Sequence, residues 1–401
     1  VSQGRILLLE NVHPGARDAL ASAGYEVELI AGSLGEEDLV KAIRDVVAVG
    51  IRSKTQLTPK VLEAAERLTT IGAFCIGTNQ IALDDAHRRG IPVFNAPFSN
   101  TRSVAELVMA EIVCLARQIG DRNREVHEGI WTKSANGCRE VRGKTLGIVG
   151  YGHIGRQVGV LAEVFGLNVV FHDIVSRLPM GNNRPASSLE ELLEVSDFVT
   201  LHVPATPQTR NMMGRDQIAR MKRGAFLLNL SRGNVVVVEA LADAIQSGHL
   251  AGAAIDVFPH EPKSNDERFE SPLQKLPNVI LTPHIGGSTE EAQVAIGQEV
   301  SSALLRYLKW GTTAGAVNFP QADLPVLERA HRIRHVHQNV PGVLGDVNRI
   351  VAAEGANVLG QVLVTDPQIG YLLMDVESGS GRAICDGIAR LATTVRVDLL
   401  Y

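Results

Sequence analysis

Three residues in the second half of the chain have the types and positions needed to move a proton and a hydride at a carbon next to a carboxylate. Arg232 lies in Ser231-Arg232-Gly233, Glu261 in a proline-flanked loop, and His284 in Pro283-His284-Ile285. Each comes just after an aliphatic run that reads as a buried strand, at residues 225–230, 253–257 and 279–282. In open α/β sheets ligands bind beyond the carboxyl ends of the strands, so these are the places to look for chemistry. An arginine grips a carboxylate through two parallel hydrogen bonds and so orients the neighbouring carbon. An imidazole titrates near neutrality and is the natural base for a hydroxyl proton. A carboxylate beside it fixes the tautomer and stabilises the imidazolium that forms. Taken singly, each residue has an ordinary explanation: a surface arginine, a solvated glutamate, a structural histidine. Their joint placement along one sheet carries the reading.

A hydride needs an acceptor, and the chain offers a place for one. Gly150-Tyr151-Gly152-His153-Ile154-Gly155 follows the apolar run 146–149 and opens a helical pattern. The first glycine permits the tight turn, the second the approach of a pyrophosphate, and the third close helix–strand packing. The phosphates would then meet N–H groups at a helix N-terminus. Such a motif alone is weak evidence. Here a second strand ends at Asp173, eighteen residues after Gly155, where an acid suits a ribose hydroxyl and repels a 2′-phosphate. Arg177, close by, leaves NADP open on the residues alone; NAD is the expectation. Asp256 precedes Glu261 and is expected at the nicotinamide end of the same cofactor.

The elements that must position these groups alternate. Short aliphatic runs at 5–10, 46–51, 69–74 and 92–95 are separated by helical patterns, which argues for a parallel sheet. A long helix over 103–118 leads into a second α/β series from Lys144, and another over 289–310 leads back. The expected fold class is α/β: a doubly wound Rossmann-type domain over 100–287, inserted in a discontinuous α/β domain formed by 1–99 and 288–320. A proline-containing linker at 321–328 precedes a ferredoxin-like β-α-β-β-α-β unit over 329–401.

Composition excludes other classes. Aromatics make up 4% of the residues, so the cores must rest on aliphatic side chains, as in sheets buried on both faces. The net charge of −5 comes from interspersed acids and bases, without the basic footprint of a nucleic-acid binder. The longest apolar stretch is interrupted by Glu111, so no membrane span is expected. Four scattered cysteines have no metal or redox spacing, which points to a reduced cytoplasmic setting. His331, His335 and His337 lack an acidic or cysteine partner nearby, and no metal is expected. The sequence opens on Val1 rather than Met, so a start further upstream is expected.

The most specific stretches are Ile71-Gly72-Ala73-Phe74-Cys75-Ile76-Gly77-Thr78-Asn79-Gln80, the segment from Phe94 to Glu106, the glycine turn, Ser231-Arg232-Gly233, Asp256 through Pro262, and Pro283 through Thr289. In this order they resemble the D-2-hydroxyacid dehydrogenase family over nearly the whole chain, in the branch that carries one C-terminal ACT domain. The resemblance implies NAD-dependent oxidation of a phosphorylated 2-hydroxy acid, 3-phospho-D-glycerate, with a side reduction of 2-oxoglutarate. A reductase for glyoxylate or hydroxypyruvate, and an NAD-sensing corepressor, remain the alternatives.

The resemblance also implies roles. Arg232 would hold the substrate carboxylate, His284 would take the proton and Glu261 would support it. Cofactor contacts would come from Gly150, Gly152, His153, Ile154, Gly155, Asp173, Leu230, Ser231, Arg232, Asp256, His284, Ile285, Gly286 and Gly287. Substrate contacts would come from Arg52, Ser53, Lys54, Asn79, Arg102 and Lys133, with Lys54 standing where close relatives carry Arg. In the ACT domain, His337, Asn339 and Asn357 would bind L-serine between paired copies. Gln338 and Val340 differ from the usual Glu and Arg, and Arg329-Ala330 stands where close relatives have a glycine pair. A homotetramer is implied, with Trp131 near a subunit interface.

Overall fold

The computed structural model describes residues 3–262 and 267–401. Two compact units emerge, one of Val1–Ser99 with Gln293–Tyr401 and the other of Asn100–Ala292.

The first unit begins with five parallel strands, β1 (Arg5–Leu9), β2 (Glu26–Ile30), β3 (Val46–Ile51), β4 (Thr70–Ala73) and β5 (Val93–Asn95), ordered β2-β1-β3-β4-β5. β1 shows why the sequence reads as an unbroken apolar run. Ile6 and Leu8 face one core while Leu7 and Leu9 face another, so both faces of the strand are dry. The first of these cores is completed by Val300, Leu304 and Tyr307 of the helix Glu290–Trp310. β2 is not expected from the sequence. It is an edge strand with Glu26 and Glu28 exposed, so its apolar signal is diluted.

The second unit holds seven strands, β6 (Thr145–Val149), β7 (Asn168–His172), β8 (Arg184–Pro185), β9 (Phe198–Leu201), β10 (Ala225–Asn229), β11 (Leu250–Ile255) and β12 (Val279–Leu281). Their order is β12-β11-β10-β9-β6-β7-β8, all parallel. The chain winds one way from β6 to β8 and the other way from β9 to β12. The crevice between β6 and β9 is therefore the topological switch point, where such sheets bind ligands. Separate cores cover the two faces. The long helix runs Thr101–Arg117, breaks at left-handed Gln118, and is followed by an unanticipated helix, Ile119–His127.

The chain ends in an antiparallel sheet within the first unit: β13 (Ala330–Gln338), β14 (Val358–Thr365), β15 (Ile369–Glu377) and β16 (Thr394–Leu399), ordered β14-β15-β13-β16. The helices Val343–Ala353 and Gly381–Ala389 complete the β-α-β-β-α-β pattern and share a core with Ile333, Leu372 and Met374. Val336, Tyr371 and Leu373 instead join the core of β1 and the helix Glu290–Trp310. The segment expected to be a linker is pinned to this sheet. Arg332, fully buried, pairs in a fork with Asp375 at 2.7 and 2.6 Å and donates to the carbonyls of Leu324 and Pro325. Arg329 keeps a left-handed backbone, φ 66, a conformation that favours glycine.

Candidate active site

At the switch point the glycine turn is built as its spacing predicts. Gly150 has φ 90, and a Cβ there would strike the His202 carbonyl; a Cβ on Gly155 would strike the Gly150 carbonyl. Over Gly152 the space is open, with nothing within 4 Å of an added Cβ. Gly152 is also the N-cap of the helix His153–Val164 and offers its first turn no side-chain cap. An open cradle above helix amides fits a pyrophosphate. Asp173 follows β7 and is oriented by two backbone donors, Tyr151 N at 2.8 Å and Val175 N at 2.9 Å. Arg177 approaches it only at 3.6 Å. These residues fit a dinucleotide without a 2′-phosphate.

The three chemical residues all lie past strand ends in the same unit. His284 Nδ1 is 2.9 Å from Glu261 Oε2, which leaves Nε2 to face a substrate. The hydrogen bond with Glu261 raises the imidazole above its usual value against the pull of burial, and the charge on Asp256 adds to the rise. Burial pushes Glu261 the other way, but the hydrogen bond and charge of His284, the Phe258 N–H and Arg232 outweigh it and hold the carboxyl below its ordinary range. The pair thus sets a carboxylate held in its charged form beside a ring whose proton affinity it raises, and both side chains are partly exposed.

His284 sits in a left-handed turn, φ 56, which costs a non-glycine residue roughly 1–2 kcal/mol. Asp256 offsets that cost. Its Oδ1 accepts from Thr282 at 2.6 Å and Ile285 N at 2.8 Å, its Oδ2 from Gly286 N at 2.8 Å, and its carbonyl from His284 N at 2.8 Å. The Asp256 carboxylate thus shapes the turn that presents His284. It is buried, and so is Glu111, whose carboxyl burial pushes up to about 8 with help from the Asp256 charge.

Asn229, not singled out from the sequence, does the same for Arg232. It accepts from Ser231 N and Oγ at 3.1 and 2.8 Å and donates to the Arg232 carbonyl at 3.0 Å. Arg232 itself is half-buried, with Nη1 2.7 Å from the Ser231 carbonyl. The only sequence signal for such a role is an asparagine ending a buried aliphatic strand, where a polar side chain must find backbone partners.

The remaining candidates divide between the units. Arg52, Ser53 and Lys54 follow β3, and Asn79 follows β4, in the first unit. Gln80 Nε2 donates to the Arg52 carbonyl at 2.5 Å. Arg102 and Lys133 belong to the second unit, both exposed, with Arg102 paired to Glu106 at 2.5 Å. Leu230 is buried behind Ser231, and Ile285 and Gly287 line the turn after His284. Trp131 is 81% exposed.

In the C-terminal sheet the three effector candidates do not meet within one copy. His337 pairs with Gly370 of β15, while Asn357 bonds Glu377, seven residues further along the same strand. At about 3.3 Å per residue that is roughly 23 Å. Asn339 Nδ2 donates to the Asp366 carbonyl at 2.7 Å, and Asn357 Nδ2 to Glu377 at 3.0 Å. His335, whose ring lies 5.1 Å from that of His337, is pushed down to about 3 by burial, with the nearby His337 adding to the effect.

Comparison with known proteins agrees with this geometry. Residues 109–286 match the model of the D-isomer specific 2-hydroxyacid dehydrogenase NAD binding domain, and residues 333–396 match an AHAS small subunit-like ACT domain. The chain is 51% identical to D-3-phosphoglycerate dehydrogenase of Dictyostelium discoideum, over 99% of this chain and 97% of that one. It is also 51% identical to the Escherichia coli K12 protein of the same name, with the same coverage. Among solved structures, the TT0316 protein of Thermus thermophilus aligns with a TM-score of 0.71 and 32% identity, over 78% of this chain and 99% of that one. Among the described residues no helix is long and apolar enough to cross a membrane.

Proposed function

The chain belongs to the D-isomer specific 2-hydroxyacid dehydrogenase family, and from that premise we propose how its residues divide the work. It oxidises 3-phospho-D-glycerate to 3-phosphohydroxypyruvate with NAD, the reaction that opens L-serine biosynthesis. The cofactor, held by the glycine turn, Asp173 and the turn after His284, supplies the hydride acceptor. Arg232 grips the substrate carboxylate and so sets the carbon that loses hydride. Nε2 of His284 accepts the hydroxyl proton, and Glu261 stabilises the imidazolium that results. In the reverse direction the same nitrogen returns the proton. The observation that carries this division is the 2.9 Å contact between His284 Nδ1 and Glu261, which supports Nε2 as the nitrogen left to react.

Arg52, Ser53 and Lys54 take the anionic end of the substrate; Asn79, Arg102 and Lys133 are further candidates for substrate contact. Lys54 supplies a point charge rather than a fork. A second carboxylate can use the same group, which supports a slower reduction of 2-oxoglutarate.

The ACT domain is regulatory, and its effector in this reading is L-serine, bound by His337, Asn339 and Asn357. Because Asn357 and His337 stand at opposite ends of β15, the site needs two copies of the chain, which supports a homo-oligomer, a tetramer in this reading, with exposed Trp131 at a second contact.

Oxidation of 3-phospho-D-glycerate by wild type and Arg232→Ala, each titrated with L-serine, tests the assignment. Wild-type turnover that serine suppresses, and a loss of roughly a thousandfold or more in kcat/KM for the variant, are expected. Near-normal turnover of Arg232→Ala removes its role; indifference to serine removes the effector and leaves the enzyme.

A further inference from the structure

β1 is followed by two consecutive left-handed residues, Glu10 at φ 64 and Asn11 at φ 51. Glu10 is nonetheless only 8% exposed, and its carboxylate points at another part of the sheet. Oε1 accepts from Thr55 N at 2.7 Å and Arg52 N at 3.3 Å, and Oε2 from Lys54 N at 2.9 Å. The Glu10 carbonyl lies 3.5 Å from Arg52 Nη1. One carboxylate thus gathers three amides of a single loop more than forty residues away in sequence.

The loop is the 52–55 segment after β3, which carries three of the residues given above to the substrate anion. Its amides at 52, 54 and 55 are turned toward Glu10, while Ser53 and Lys54 are exposed. Gln80 grips the same loop through the Arg52 carbonyl. Hydrogen bonds to a charged acceptor are stronger than neutral ones, and three on one carboxylate define a backbone shape. Non-glycine residues at positive φ persist where the surroundings over-determine them, and they concentrate at functional sites. The arrangement has a chemical consequence: with three of these amides spent on Glu10, the loop is left to meet an anion chiefly through its side chains.

We infer that Glu10 is a positioning residue for the reaction, its carboxylate holding the 52–55 loop in the shape that presents Arg52, Ser53 and Lys54 to the phosphoryl end of the substrate. This rests on the assignment of that loop under the proposed function. Glu10 touches neither substrate nor cofactor in this account. It acts on substrate affinity and on the choice between phosphorylated and unphosphorylated acids.

The test uses the intact enzyme with Glu10→Gln, which keeps the shape and loses the charge, beside Arg52→Ala and Lys54→Ala. KM and kcat for phosphohydroxypyruvate, KM for NADH, kcat/KM for glyoxylate and the melting temperature are measured for each. Glu10→Gln is expected to raise KM for phosphohydroxypyruvate roughly tenfold while kcat and KM for NADH stay within about twofold. The preference for phosphohydroxypyruvate over glyoxylate falls by a similar factor. An unchanged KM in Glu10→Gln overturns the inference. So does a loss in which kcat, both KM values and the melting temperature move together, since that marks a general structural role. If Arg52→Ala and Lys54→Ala raise KM and Glu10→Gln does not, only the role of Glu10 falls. If neither loop variant moves KM, the assignment of the loop falls and takes the inference with it.

Discussion

His87 Nε2 meets Asp366 Oδ2 at 2.6 Å, tying the helix Leu83–Arg88 to the turn between β14 and β15. The same turn holds the proposed effector residue Asn339, through its side chain to the Asp366 carbonyl and its amide to the Gln368 carbonyl. A ligand that engages Asn339 must therefore disturb, or be resisted by, a turn already anchored to the substrate-side sheet. His87→Ala is expected to leave kcat without effector within about twofold and to shift the half-inhibiting concentration of L-serine roughly fivefold. A serine titration identical to wild type would show that the contact is only structural.

The pH dependence follows from the His284–Glu261 pair. Oxidation needs the neutral imidazole, and its proton affinity is raised by the hydrogen bond with Glu261. The oxidation rate should therefore climb through a window above about 6.5, the ordinary imidazole value, while reduction, which needs the imidazolium, declines through the same window. Glu261→Gln removes the anion, so both limbs move to lower pH and kcat falls roughly a hundredfold. Profiles recorded in both directions decide it; limbs that stay in place would free His284 from Glu261.

Arg332 and Asp375 form a fully buried pair that also holds the carbonyls of Leu324 and Pro325. Removing one partner strands a charge, so Asp375→Asn should cost about 3–5 kcal/mol. Replacing both with apolar residues should recover part of that loss. Thermal unfolding of the two variants measures the difference, and equal melting temperatures for wild type and Asp375→Asn would contradict it.

Much of this site is legible in the sequence because its signals are local. The run from Leu146 to Val149, the glycines that follow and Asp173 after the next strand sit close together, and each has a steric or electrostatic reason for its place. Arg232, Glu261 and His284 stand out in the sequence because strand ends in a parallel sheet are predictable places for chemistry. Much of what escaped depends on partners far along the chain. Nothing near Glu10 announces that it will gather amides from the 52–55 loop, and Asn229 and Asp256 become supports only once their turns are seen. The charged edge strand Glu26–Ile30 and the helix Ile119–His127 lack a clear apolar stripe. The segment 321–328 read as a free linker because a buried arginine, Arg332, is not a residue that pattern alone places inside a sheet.

In the proposed reaction this site turns over a phosphorylated acid through the Arg232, Glu261 and His284 trio. NADH-linked reduction of phosphohydroxypyruvate, glyoxylate and 2-oxoglutarate, measured side by side, tests it most directly. The highest kcat/KM is expected for phosphohydroxypyruvate, by roughly a hundredfold or more if two anion contacts are lost with the phosphate. Equal or better turnover of an unphosphorylated acid would contradict it.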